Sequence, residues 1–177
     1  MPRLQVDTLS FDFGAGVNAQ LYDRSQHYTT VWNASPGGKK AVDVVAVQSM
    51  PPPSTTWLIE AKDFRVITNP PRPCNIGRLA QLVTDKVNDT LAGLADATSH
   101  ASEPGEKAIA ASALASGVKR VVLHLEPHTG PHTALFPTAF AANVLQQLRQ
   151  LVRSIDANPL VLNIASTSRA GVPWNVS

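Results

Sequence analysis

Residues 55 to 64 read TTWLIEAKDF, and this run constrains the fold more than any other. Trp57, Leu58, Ile59 and Ala61 are the residue types of a strand covered on both faces. Glu60 and Lys62 break that pattern with two charges, two residues apart. Successive strand residues point to opposite faces, so Glu60 and Lys62 share one face. A charge buried there without a partner is costly, so the fold has to bring compensating groups to that face.

A second apolar run lies just upstream. AVDVVAVQ, 41–48, reads as a strand with Asp43 isolated among hydrophobic neighbours. If the two strands pair side by side, Asp43, Glu60 and Lys62 converge, and two carboxylates meet one ammonium. Such a set neutralises itself in part, and it also offers oxygens to a divalent cation. Mg²⁺ prefers oxygen ligands and keeps several waters, and Mn²⁺ is the alternative ion. The expected ligands are Asp43, Glu60 and the backbone carbonyl of Ala61. An ion held there lowers the pKa of bound water and polarises a phosphate, while Lys62 orients the water or stabilises developing negative charge. The geometry expected is two carboxylates on adjacent strands within about 6 Å, the range of mutual coupling.

The rest of the chain reads as an α/β sequence. Residues 10–26 are ambiguous, with Val17 and Leu21 at helical spacing and two glycines against a helix. HYTTVWN, 27–33, is rich in aromatic and β-branched residues and reads as a strand, paired through the turn ASPGGKK with 41–48 as a hairpin. The third strand is expected over 55–67. Asn75 caps a helix over 76–97, whose stripe is Leu79, Leu82, Val83, Val87, Leu91 and Leu94. A short helix follows over 107–116 and a strand over 118–126. A helix over 138–155 turns Phe140, Val144, Leu145, Leu148, Leu151 and Val152 inward. A strand over 160–166 and an irregular tail close the chain. This order predicts one domain over 1–177 with a mixed sheet of about five strands flanked by helices.

Composition supports a packed protein. Hydrophobic residues are 44% and charged residues 16%, and the net charge of +2 is too small for non-specific coating of nucleic acid. Cys74 is the single cysteine, which excludes an internal disulfide and a cysteine-rich zinc site. Neither a leader nor an apolar membrane span is legible, so no membrane partner is expected and the cytoplasm is the expected compartment.

AVDVVAV, a connection, and then TWLIEAKDF resemble the PD-(D/E)XK, or restriction-endonuclease-like, nuclease superfamily. The resemblance covers about Tyr28 to Ser166. EAKDF followed by Arg65 also resembles small bacterial members of that superfamily. The resemblance implies a restriction-endonuclease-like mixed sheet, metal binding by Asp43 and Glu60, and catalysis by Lys62. The implied function is metal-dependent hydrolysis of DNA, with RNA left open as a partner. Cutting both strands of a duplex would call for a homodimer, for which no interface is legible. Val42 stands where many members have proline. Many members also carry an upstream glutamate, and none precedes Glu60 here, which leaves Gln20 or Asp23 for that role. The alternative is a catalytically degenerate member that binds nucleic acid or a protein.

Further residues bear on such a site. Lys86 lies beside the apolar stripe of the 76–97 helix. It reads either as a phosphate contact or a second catalytic cation or, preferably, as a lysine whose stem is buried and whose ammonium reaches water. Lys39, Lys40, Arg65, Arg72 and Arg78 form a modest basic rim if gathered in space, with Arg65 and Lys40 the expected substrate contacts. His124, His128 and His132 recur every four residues, but Pro127, Gly130 and Pro131 forbid the helix that would align them.

Overall fold

The structure, a computed structural model, describes residues 1–65 and 75–177. Its centre is a five-stranded mixed sheet built from β3 (Val17–Leu21), β4 (Val44–Gln48), β5 (Thr55–Asp63), β6 (Val118–Glu126) and β7 (Leu160–Leu162), in that spatial order. β3, β4 and β5 pair antiparallel, and β5, β6 and β7 pair parallel. The fold is therefore α/β, with β5 in the middle of the sheet. The same chain also makes a small antiparallel sheet from β1 (Arg3–Val6), β2 (Leu9–Phe13) and β8 (Trp174–Val176).

Alternation along the central strands divides the core in two. Leu58, Val45, Val47, Val121 and Leu123 face the helices α1 (Ile76–His100), α2 (Pro104–Ala115) and α3 (Phe140–Leu151). Trp57, Ile59, Val44, Ala46 and Val122 face the small sheet, meeting Phe11, Phe13 and Trp174. One face of the main sheet is thus covered by helices and the other mostly by strands from the two ends of the chain. α1 forms as its apolar spacing requires, with Leu79, Val83, Val87 and Leu94 buried. Asn75 caps it by accepting the Arg78 N–H at 2.8 Å. In α3, Phe140, Val144 and Leu148 are buried, whereas Leu151 turns outward.

Other sequence expectations are also corrected. Residues 27–33 do not form a strand, and Tyr28–Trp32 is a π-helical turn. Ser25 Oγ accepts the Tyr28 N–H, the Thr29 and Thr30 hydroxyls donate back to Ser25 and Gln26 carbonyls, and Glu106 of α2 accepts the N–H groups of Gln26 and His27. These local and tertiary bonds override the β preference of the side chains. The hairpin partner of β4 is therefore β3, drawn from the ambiguous stretch, with Leu21 opposite Val44. The 160–166 strand stops at Leu162, because Asn163 caps a short helix α4 (Ile164–Thr167) through a reciprocal pair with Ser166. The tail is not irregular, since residues 174–176 form β8. Val66, Ile67, Arg72 and Cys74 lie outside the described residues.

The helical segment sits against α1 at a glycine. A Cβ at Gly93 would come within 2.6 Å of the Tyr22 hydroxyl and 2.8 Å of Trp32 Nε1. Gly93→Ala should therefore destabilise the protein by on the order of 1 kcal/mol, because overpacking outweighs the gain in helix propensity. Urea denaturation of the two proteins measures this. A variant as stable as the parent would show that this contact is loose.

Candidate functional site

β4 and β5 position the charged set. The register places Val44 opposite Ile59, and one further step places Asp43 opposite Glu60. Asp43 is not inside β4 as the sequence suggested, but on the bend directly before it. Its carboxylate closes the end of the ladder, with Oδ2 accepting the Ala61 N–H at 2.7 Å. A continued ladder would direct the Val42 N–H to the Ala61 carbonyl. Val42 instead donates to Thr90 Oγ1 at 3.0 Å. The N–H and C=O of one strand residue point to the same side, so the Ala61 carbonyl heads toward Asp43.

Glu60 lies on the helix-facing side, like Leu58, and is fully buried at 0% exposure. Two facing carboxylates repel, and α1 answers them with Lys86. Its Nζ contacts Glu60 Oε1 and Oε2 at 2.7 and 2.8 Å and Asp43 Oδ1 at 3.5 Å. A single ammonium thus touches both acids. Lys62 Nζ reaches Glu60 Oε1 at 2.5 Å from the more open side. Burial, then the Asp43 charge, pushes the Glu60 carboxyl above its ordinary value, against the pull of Lys62 and Lys86. Burial alone would lower Lys86, but the Glu60 and Asp43 carboxylates hold it above its ordinary value.

The preferred sequence reading of Lys86, an ammonium reaching water, is therefore corrected. Sequence reasoning also missed Thr90. Lys86 and Thr90 stand four residues apart on one helix face, and they fix Asp43 and Val42 respectively. The signal for this was a polar pair inside a helix flank that is otherwise apolar or small.

The remaining candidates divide. Asp23 lies in a 3₁₀ turn after β3, and burial followed by the Asp43 charge raises its carboxyl, which Arg24 and then Lys86 partly offset. Gln20 stands opposite Val45, one side-chain pair removed from Asp43. Of the two upstream residues, Asp23 is the one coupled to the acids. Lys40 pairs with Asp85 at 2.9 Å and Lys39 with Asp89 at 3.8 Å, so these rim cations are already matched by α1 carboxylates. Arg65 forks onto Asp63, with Nε and Nη2 donating at 2.9 and 2.7 Å. His124 is a β6 residue turned to the opposite face, where it bonds Glu126 at 2.9 Å and packs on Phe11. His128 and His132 lie beyond β6, and His128 packs on Phe64 and Phe136.

The donor set suits a hard divalent cation in type, with two carboxylates and a carbonyl. Among the described residues no cluster of three or more Asp, Glu, His or Cys side chains is placed to hold a metal. A bound ion would therefore need the Ala61 carbonyl and water, and it would have to share its position with the Lys86 ammonium. Among the described residues no helix is long and apolar enough to cross a membrane.

Comparison with known proteins gives one likeness. The chain is 30% identical, in an alignment of 213 positions, to a cysteine–tRNA ligase of Neisseria meningitidis. The alignment takes in all of this chain and 30% of that protein, so the chain spans less than a third of its relative's length. No family model matches the chain, and no solved structure matches it.

Two outcomes follow from this geometry. Asp43→Ala leaves the Ala61 N–H without an acceptor and should cost about 1–3 kcal/mol. Asp43→Asn keeps an acceptor oxygen and relieves repulsion with Glu60, so it should cost much less. Chemical denaturation separates the two. The second outcome concerns pH. The Arg65 side chain, helped by Thr8, lowers the Asp63 carboxyl to about 2. A depressed acid contributes stability that is complete above its unfolded pKa and is lost as pH falls toward about 2. Arg65→Ala should raise the Asp63 carboxyl toward its ordinary value, with Thr8 and the residue-65 N–H still holding it below, as read by carboxyl NMR titration. An unchanged titration would remove Arg65 as the cause.

Proposed function

We propose that this chain is a metal-dependent phosphodiester hydrolase acting on nucleic acid, of the PD-(D/E)XK kind its sequence resembles. The observation that supports it best is the convergence of Asp43, Glu60 and Lys62 on one face at the end of β5, with the Ala61 carbonyl directed toward Asp43. Asp43, Glu60 and the Ala61 carbonyl would hold Mg²⁺ or Mn²⁺, which when bound supplies water activation and polarisation of the phosphate. Glu60, fixed in the central strand, keeps its carboxylate in place without solvent rearrangement. Lys62, whose Nζ contacts Glu60 while its side chain is 29% exposed, would stand between the acids and an incoming phosphate. There it orients the attacking water and meets the negative charge that grows on the phosphate oxygens. A water oxygen bonds to phosphorus as its proton passes to solvent, the bond to the leaving sugar oxygen breaks, and that oxygen takes a proton from solvent to depart as a hydroxyl. DNA is the first substrate to assay, and the likeness to part of a tRNA ligase adds RNA.

A second reading has its own observation. Asp43 and Glu60 are already matched by Lys62 and Lys86, which gives a set with no net charge. That closure favours a non-catalytic binding module of the same architecture.

Cleavage assays on single-stranded, duplex and branched DNA and on RNA, with Mg²⁺ or Mn²⁺, separate the two readings. Lys62→Ala should lose about 10²–10³ in rate while still binding Mn²⁺ in a titration. Metal-independent cleavage, or Lys62→Ala cutting like the parent, places the activity elsewhere. No cleavage of any substrate by the pure parent leaves the binding module.

A further inference from the structure

Lys86 occupies the position that two carboxylates would give to a cation, and it also borders open space. A cavity of about 430 Å³ adjoins the site, lined by Asp23, Tyr28, Lys39, Lys40, Ala41 and Lys86 among others. Asp23 Oδ1 is buried there without a hydrogen-bond partner. The cations that act on its carboxylate are Arg24, its neighbour in the chain, and then Lys86. The Lys86 ammonium thus has one set of acceptors at hand and, on the wall of the same cavity, a second carboxylate with one oxygen that lacks a hydrogen bond.

Charge decides which set it takes. With Lys86 in place, two carboxylates and two ammonium groups cancel. Adding a divalent ion to that arrangement would put two uncompensated positive charges beside a fully buried glutamate, which is costly in a low-dielectric interior. If the Lys86 ammonium leaves for Asp23, the ion, the two acids and Lys62 together carry a single positive charge. One phosphodiester group carries a single negative charge and matches it. Lysine suits this exchange, because its four-carbon stem is flexible and its ammonium is a compact point charge.

We propose that Lys86 is the resident cation of this site, displaced by the divalent ion and received by Asp23 at the cavity wall. The inference rests on the metal-binding reading above and extends it. Lys86 is a positioning residue that keeps the empty site neutral, and its movement leaves the loaded site with the charge of one phosphodiester to fill. Divalent ion and Lys86 compete for the same two carboxylates.

The test is Mn²⁺ affinity, measured by titration calorimetry in the absence of nucleic acid. Lys86→Gln removes the competing charge but keeps a hydrogen-bond donor for Glu60, and it should bind Mn²⁺ about tenfold more tightly than the parent or better. Lys86→Arg keeps the charge and should bind no more tightly than the parent. Asp23→Asn takes away the receiving carboxylate and should weaken Mn²⁺ binding. If Lys86→Gln is too unstable without metal for calorimetry, the same comparison is made by thermal melting, where Mn²⁺ should raise its Tm by more than it raises the parent's. Parent and Lys86→Gln binding Mn²⁺ equally, or Lys86→Gln binding it less tightly, overturns the exchange and leaves the metal site standing. An equal or smaller rise in Tm does the same. Absence of Mn²⁺ binding in every protein overturns the exchange and the metal reading together.

Discussion

The structure depends on how one carboxylate is kept in the middle of its core. Glu60 lies on the central strand at 0% exposure, with the Asp43 acid facing it across the ladder. The helix that covers it must deliver a cation, and delivering it fixes the helix. Lys86 sets α1 on the acids, and one turn later Thr90 receives Val42. On the next part of that face, Asp89 accepts the Lys40 N–H and Gly93 admits Tyr22 and Trp32. Removing one partner of a buried pair commonly costs about 3–5 kcal/mol, because the other charge is left behind. The phase and depth of α1 therefore follow from the need to compensate Glu60 as much as from its apolar stripe.

The two lysines that contact Glu60 differ in origin and exposure. Lys62 comes from the same strand and opens toward solvent, whereas Lys86 comes from the helix and is 17% exposed in its side chain. The exposed cation suits contact with a substrate, and the enclosed one suits neutrality in its absence. The basic residues around the site add little free charge, because Lys39, Lys40 and Arg65 each have a carboxylate partner. Substrate attraction would thus depend on the centre of the site more than on its rim.

What could be read in advance was what period alone decides. Asp43 with Val45, and Glu60 with Lys62, obey the two-residue alternation of strands, and the antiparallel neighbour relation brings them to one face. Leu79, Val83, Val87 and Leu94 obey the helical period in the same way. What could not be read depended on groups distant in sequence. Tyr28 to Trp32 have strand-forming side chains, yet Glu106, far along the chain, supplies acceptors for the N–H groups of Gln26 and His27. β8 is three residues long and has no strand pattern of its own until Phe11 and Phe13 provide its partner. The role of Lys86 required the docking of α1, which an apolar stripe fixes only to within a turn of the helix.

The pairing of β2 with β8 ties this fold to the order in which its parts can form. Phe11 stands opposite Val176, and Ser10 exchanges backbone hydrogen bonds with Ser177 in both directions. Loop closure over so long a stretch has to come before these contacts give any return. In a chain made from its N-terminus, β1 and β2 are available early to cover the sheet face carrying Val44, Trp57 and Ile59, but the part around Phe13 and Trp57 waits for Trp174. Until residues 174–176 arrive, the β2 edge and the apolar surface beside it are open to the wrong partner. The helical side of the core, closed by Ile155 and Val161, waits less long. Folding would thus proceed unevenly through the sheet, with its charged face assembled first and its aromatic face sealed last.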